Sequence, residues 1–365
     1  MADMKNRRLT HRGRLTQLPI YIGKLLRSFV YQSDWKVLPM SAVIAALVSM
    51  VIRKAFCLDM EGTLKGAFSL TCVGIWNGCF NSIQAICRER DIVKREHRSG
   101  LHISAYIASH FLYQALLCLC QTVVTVYILN MMGVRLPKEG LVTGSGVIDF
   151  SLTLFLITFA SDMLSLLVSA VVHTTTAAMT VMPFLLIFQL TFSGGFFSLP
   201  AWAQNVSPYT ISNPGMTAIA SLSDYNAQPM SMGWSTIDRI QDDEISGEIT
   251  AGQIIDLFTN VNEDALSEDE TLQNLPEILR EVAASDEARE TTVHYSFTLR
   301  KIIDAFGQDK VKTAVDAVTS AAARNDLYDR NPDTVRAVWM KLTAFSLLYA
   351  FIAMLALEFI DKDKR

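Results

Sequence analysis

The sequence predicts an all-α membrane protein with six transmembrane helices, and three observations carry that prediction. Half of the 365 residues are hydrophobic and only 19% are charged, with a mean hydropathy of +0.27. A soluble chain of this length carries roughly 25% charged residues. The apolar excess is gathered into runs of about 20 residues, the length a helix needs to cross a hydrocarbon core. Charge is also segregated: residues 224–333 hold 23 acidic and 9 basic side chains, leaving 13 acidic and 23 basic for the rest of the chain. An acidic block on one face of a membrane and basic loops on the other produce that asymmetry.

The elements follow in chain order. The N-terminal arm carries Lys5, Arg7, Arg8, Arg12 and Arg14 without an apolar core and cleavage site, so it reads as a retained arm and not a signal peptide. From Gln17 to Tyr31, Leu18, Ile22, Leu25, Leu26 and Phe29 alternate at helical spacing with Lys24 and Arg27, which predicts a helix lying on the membrane surface. Residues 1–34 thus form a cytoplasmic arm and an amphipathic connecting helix. Spans are predicted at 35–53, 64–87, 103–132, 148–172, 177–197 and 336–360.

Between the second and third spans, Arg88 to Ser109 reads RERDIVKREHRSGLHISAYIAS, a charged amphipathic stretch. After the fifth, Phe196 to Leu222 is apolar but broken by Pro200, Pro208 and Pro214. Irregular backbone at membrane depth must be buried against protein or line a cavity, so 196–222 reads as a re-entrant hairpin dipping back from the outer face. Residues 223–335 form an acidic insert expected to be small and mostly helical. Thr250–Gln253 and Ser267–Glu270 match capping boxes, and helical periods run through Ile254–Val261, Ile278–Val282 and Val311–Ala323. Residues 336–365 supply the last span and a tail.

Orientation follows from Lys and Arg, which crowd cytoplasmic loops. The basic arm, the 88–98 loop and Lys362–Arg365 share one side of a six-span topology, and the acidic insert takes the other. A multi-pass protein of the plasma membrane is expected, with both termini cytoplasmic and 223–335 extracytoplasmic.

Several functions are disfavoured. The chain has no G-x-x-x-x-G-K-[ST] loop and so does not bind nucleotide by that route. Cys72, Cys79, Cys87, Cys118 and Cys120 lie in apolar runs, Cys57 lies in a loop, and none has zinc-like spacing with histidine. The Asp242–Glu244 and Glu268–Glu270 runs lack the pattern of a calcium loop and read as solvated surface, so no metal site is expected. No Ser-His-Asp set or paired catalytic carboxylates stand out. No catalytic residue is assigned to this chain, and no nucleic-acid partner is expected.

Two motifs carry a family resemblance. The first is Arg88-Glu89-Arg90 followed by Lys94-Arg95-Glu96, Ser99-Gly100-Leu101, and Ala105-Tyr106 with Ser109. The second is Phe192-Ser193-Gly194-Gly195-Phe196-Phe197, then Pro200-Ala201-Trp202, then Asn213-Pro214 with Ala218. In this order, within spans of this spacing, the chain resembles the membrane (permease) domain of ABC exporters of the G-subfamily type, the type-2 ABC transporter permeases. The resemblance covers residues 15–222 and the final span, and departs at His102 and His110, where Tyr and Lys are expected.

The resemblance implies a cytoplasmic coupling helix at 88–101 that bears on an ABC ATPase. Arg88, Glu89, Arg90, Asp91, Arg95, Glu96, Ser99 and Gly100 are its candidate coupling residues. It further implies a substrate path lined by the second and fifth spans. Asn77, Asn81 and Gln84 share one helix face with Phe80 beside them, and Phe184, Phe188 and Thr191 repeat the spacing on the fifth span. Interhelical hydrogen bonding explains the same polar residues equally well, and both readings stay open. Asp162, the one acid deep in a predicted span, could form an intramembrane ion pair with His110.

The function implied is the permease subunit of an ATP-driven exporter that moves an amphipathic or lipid-like substrate outward by alternating access. A separate nucleotide-binding domain or subunit would bind ATP and Mg, with no cofactor in this chain. A second permease copy, identical or related, and the lipid bilayer are the other expected partners. The competing reading is a membrane receptor or scaffold whose acidic outer domain binds a ligand or partner.

Overall fold

The computed structural model describes residues 13–31, 34–195, 199–242, 244–250 and 292–358. The arm before residue 13, the tail after 358, both capping boxes beyond Thr250 and the helical periods at 254–261 and 278–282 lie outside the described residues. The chain divides into two compact units, one of residues up to 230 together with those from 320, the other of residues 231–319.

In the first unit, α1 (Arg14–Tyr31) is the amphipathic helix and α2 (Val37–Ile52) follows a short 3-10 turn. Next come α3 (Met60–Ser82), α4 (Arg90–Arg98), α5 (Ile103–Met131), α6 (Gly146–Val171) and α7 (Thr175–Thr191). The proline-broken stretch forms two short helices, α8 (Ala201–Val206) and α9 (Ser212–Leu222). Each of the six predicted spans is helical over most of its length. Four of these helices are long and apolar enough to cross a membrane: the segment Asp34–Ile52 ending in α2, then α5, α6 and the C-terminal helix Pro332–Glu358. Helix α3 carries Glu61, Lys65, Asn77 and Asn81 among its apolar residues, and α7 has 17 residues. The second span was expected to reach residue 87, but α3 ends at Ser82 and 3-10 and turn structure follows.

Helix α6 is the hub, with most of its surface buried. It packs along α3 because α3 presents no side chain at two points one turn apart, Gly74 and Gly78. A Cβ on Gly78 would collide with the Thr158 carbonyl oxygen and come within 2.9 Å of Ser161 Cβ. This small-xxx-small spacing lets helix backbones approach in a setting with no hydrophobic drive between helices. Ser161 Oγ then donates to the Ile75 carbonyl across the contact at 2.9 Å. On another face of α6, Trp339 Nε1 of the last helix donates to Thr153 Oγ1 at 2.8 Å. Helix α9 is buried along nearly its whole length against α3, α6 and the last helix. Gln189 of α7 fixes its start, with Oε1 accepting from Ile211 N at 2.9 Å.

The segments flanking the insert are zipped together. Asn226 Nδ2 donates to Asn325 O at 2.9 Å and to Asp329 Oδ1 at 2.6 Å, Asn325 N returns a bond to Asn226 Oδ1 at 3.1 Å, and Tyr225 meets Tyr328 edge-on.

The second unit has α10 (Ser231–Ile240), β1 (Glu244–Thr250), β2 (Thr292–Thr298), α11 (Leu299–Phe306) and α12 (Gln308–Ala323), the last running into the first unit before α13 (Pro332–Glu358). Helices were expected here, and the antiparallel β1–β2 pair is a correction. Its register sets Ile245 opposite Phe297 and Ile249 opposite Val293. The cause lies in the residues: Val293, Tyr295 and Phe297 alternate with polar neighbours at period two, and β-branched and aromatic residues suit a strand.

Candidate coupling and transport surfaces

Helix α4 is short, and its neighbours hold it in place. Its C-terminus is a Schellman cap: Leu101 N donates to Glu96 O and Gly100 N to His97 O, both at 3.0 Å, with Gly100 at φ +104°. Ser99 and Gly100 therefore terminate the helix, and the left-handed backbone explains the glycine. Gln17 of α1 brackets the turn, donating through Nε2 to Gly100 O and accepting at Oε1 from His102 N, each at 3.0 Å.

Half of the six charged residues expected to face a partner, Glu89, Arg90 and Glu96, face inward. Glu89 lies 3.1 Å from Lys24 Nζ of α1, and Glu96 accepts from Tyr21 Oη at 3.0 Å with Lys24 at 3.8 Å. Arg90 Nη1 donates to Ala170 O at 2.7 Å, satisfying a carbonyl at the C-terminal end of α6 where the helix dipole favours a cation. Ser169 Oγ accepts from the backbone N–H groups of Ile86 and Cys87 at 3.0 and 3.1 Å. Arg88 reaches Asp34 at 3.6 Å. Burial, and then the neighbouring Glu96 charge, push the Tyr21 hydroxyl well above its ordinary range, so it stays a donor at any physiological pH.

The opposite face of α4 carries Asp91, Ile92, Arg95 and Arg98, all exposed and spaced by helical turns. Ile92, 39% exposed on an otherwise charged face, escaped the sequence reading. The staples of α1 escaped it too, though Gln17, Tyr21 and Lys24 stand at i, i+4 and i+7 and could have signalled a polar stripe.

Along α3 the polar residues bond to other helices. Asn77 Nδ2 donates to Ser41 Oγ of α2 at 3.0 Å. Asn81 and Gln121 of α5 exchange amide hydrogen bonds at 2.8 and 3.1 Å. Gln84 is half-buried, at the turn after the helix. The aromatic neighbours point elsewhere: Trp76 and Phe80 stack with centroids 5.7 Å apart and are 41% and 44% exposed. They help line an apolar groove of about 320 Å³ with Met40 and Ile44 of α2. On α7, a narrow stripe of Ala178, Met182, Leu186 and Gln189 is buried, while Phe184, Phe188 and Thr191 are exposed.

The expected Asp162–His110 pair is not formed. Asp162 accepts from Ser82 Oγ and from Cys118 Sγ at 3.2 Å, both neutral groups. Cys118 is eight residues beyond His110 on α5, about 12 Å along the axis at 1.5 Å per residue. His110 therefore sits at a different depth, and among the described residues neither of its ring nitrogens has a hydrogen-bond partner.

No group of three or more His, Cys, Asp or Glu among the described residues could hold a metal ion. Residues 12–220, more than half of the chain, match the family model described as ABC-2 type transporter. The chain belongs to the ABC-2 type transporter family. It is a multi-pass membrane protein and the permease component of an ABC transporter. No curated protein matches this permease. Members of the family typically pair with an ATPase subunit.

Proposed function

We propose that this ABC-2 permease exports an amphipathic or lipid-like substrate, driven by ATP hydrolysed in a separate nucleotide-binding domain or subunit that carries the ATP and Mg. Six helices, α2, α3, α5, α6, α7 and α13, cross the membrane, with α4 and both termini on the cytoplasmic side and residues 223–335 outside. The 17 residues of α7 span about 26 Å at 1.5 Å per residue, enough when the α8–α9 hairpin completes the outer half.

One observation supports coupling most directly: α4 is stapled on one face to α1 and α6 and leaves Asp91, Ile92 and Arg95 exposed on the other. A stapled helix passes a push to the spans without first deforming. Coupling is thereby divided. Asp91 and Arg95 meet the ATPase around Ile92 as an apolar anchor, while Glu89, Arg90 and Glu96 carry displacement into α1 and α6, and Ser99 and Gly100 keep the helix end in register. An apolar knob ringed by charge has the composition of an interface hot spot.

The substrate path is assigned to the aromatic edge, Trp76 and Phe80 of α3 with Phe184, Phe188 and Thr191 of α7. Asn77 and Asn81 brace its wall. A second permease copy would close the path from the other side, and nucleotide would bias the two states by differential affinity.

The test is purification of tagged wild-type, Ile92→Asp and Arg95→Glu chains from the native membrane. Wild type should bring down an ABC ATPase in stoichiometric amount. The variants should lose it at least tenfold with unchanged melting temperatures. A wild-type chain that carries no ATPase would return the reading to a receptor or scaffold.

A further inference from the structure

Tyr106, His110, Gln114 and Cys118 climb α5 at four-residue steps, and all four are buried. The far end of this series is satisfied, because Cys118 donates to Asp162. The near end is not. Tyr106 Oη, both ring nitrogens of His110 and Gln114 Oε1 are shielded from solvent and have no hydrogen-bond partner among the described residues. A buried polar group left unpaired keeps its desolvation penalty without recompense, so orphans clustered on one helix call for an occupant.

A cleft is present to hold one. His110 and Gln114 line a cavity of about 210 Å³, where a single water needs only about 10–15 Å³ on the same measure. Leu25 of α1, Val37 of α2, Ile83 and Leu117 supply apolar walls. The charges at its edge are already paired: Arg88 with Asp34, and Glu89 with Lys24. The cleft therefore offers a net charge no counter-ion. Its unmet demand is for neutral hydrogen bonds, since an uncharged imidazole presents one donor and one acceptor and the Gln114 carbonyl accepts.

We propose that this cleft binds the head of an uncharged, hydroxyl-bearing membrane amphiphile. The hydroxyl donates to Gln114 Oε1 and accepts from the His110 ring N–H, and the chain runs along the apolar walls. The cleft adjoins the edge assigned to transport, sharing Phe80 and Asn81 with it, but its test reads binding and not export, so its failure and that of the transport reading are told apart.

The experiment uses the full chain in phosphatidylcholine vesicles containing a diacylglycerol with a diazirine close to the glycerol. After photolysis, labelled residues are mapped by peptide mass spectrometry. Label that unlabelled diacylglycerol displaces should centre on Ile107–Leu117 and Ile83–Arg88. A competitor with its hydroxyl methylated should displace it at least tenfold less effectively. The double variant H110L/Q114L should lose the displaceable label while melting at or above the wild-type temperature, because it removes orphaned polar groups. Displaceable label confined to the exposed faces of α2, α7 and α13 would overturn the proposal, as would equal competition by the methylated analogue on the wild-type chain.

Discussion

Substituting Gly78 by alanine tests the account of the helix core most sharply. Alanine is the better helix former by about 1 kcal/mol, so an open site would gain stability. At Gly78 the new Cβ meets the Thr158 carbonyl oxygen, the Asp162 backbone nitrogen at 2.8 Å and Ser161 Cβ at 2.9 Å. Two of those three atoms are backbone, so no rotamer change relieves the contact and α3 must move away from α6. Overpacking costs about 1–3 kcal/mol, and a backbone clash belongs at the upper end. The net is a loss of about 2 kcal/mol after the propensity gain. At about 2–4 °C per kcal/mol for a chain of this size, the melting temperature should fall by about 4–8 °C. Gly74 is the internal control. Its added Cβ would meet side-chain atoms only, Ile157 Cγ2 at 2.9 Å and Thr158 Oγ1 at 3.3 Å, and no backbone, so G74A should cost about 1 kcal/mol less than G78A. Tryptophan fluorescence during heating in detergent micelles reads both variants. Equal melting temperatures for G74A and G78A would refute the close-approach argument.

Other predictions follow from the same geometry. Asn81→Leu or Gln121→Leu alone strands the partner amide and should cost about 1–3 kcal/mol. The double variant should recover most of that loss, and additive single effects in a thermal cycle would count against a reciprocal pair. Lys24→Met removes the cation that Glu89 and Glu96 share. These half-exposed pairs contribute only about 1 kcal/mol or less each, so folding should hold while ATP consumption per exported molecule rises; an unchanged ratio would argue that the staple carries no motion. Burial raises the Cys57 thiol to about 11, and the raised value sets the sign: the reactive thiolate is scarce at neutral pH. Its alkylation should be about 100-fold slower than in unfolded chain at pH 8 and should climb about tenfold per pH unit until pH approaches 11. A rate that flattens near pH 9 would show an unperturbed thiol.

What the residues announced by themselves was the division between apolar runs and polar connections. Burying backbone polar groups in lipid demands helices, so lengths and limits of α2, α5, α6 and α13 were readable to within a few residues. The proline break before α9 was equally local, whereas the cap at Ser99-Gly100, two residues expected to contact a partner, emerged only with the backbone. Pairwise contacts were not. Tertiary packing turned Glu89, Arg90 and Glu96 onto α1 and α6, because a nine-residue helix has two faces and sequence alone does not say which one is occupied. The depth of His110 relative to Asp162 depended on how α5 slides against α6, a register marked by the Cys118–Asp162 hydrogen bond. Asn81 found Gln121, 40 positions away, for the same reason. Composition establishes that a polar group in a membrane bundle must have a partner; only the packed structure names that partner, or shows, as at the His110 ring and Gln114 Oε1, that the described residues supply none.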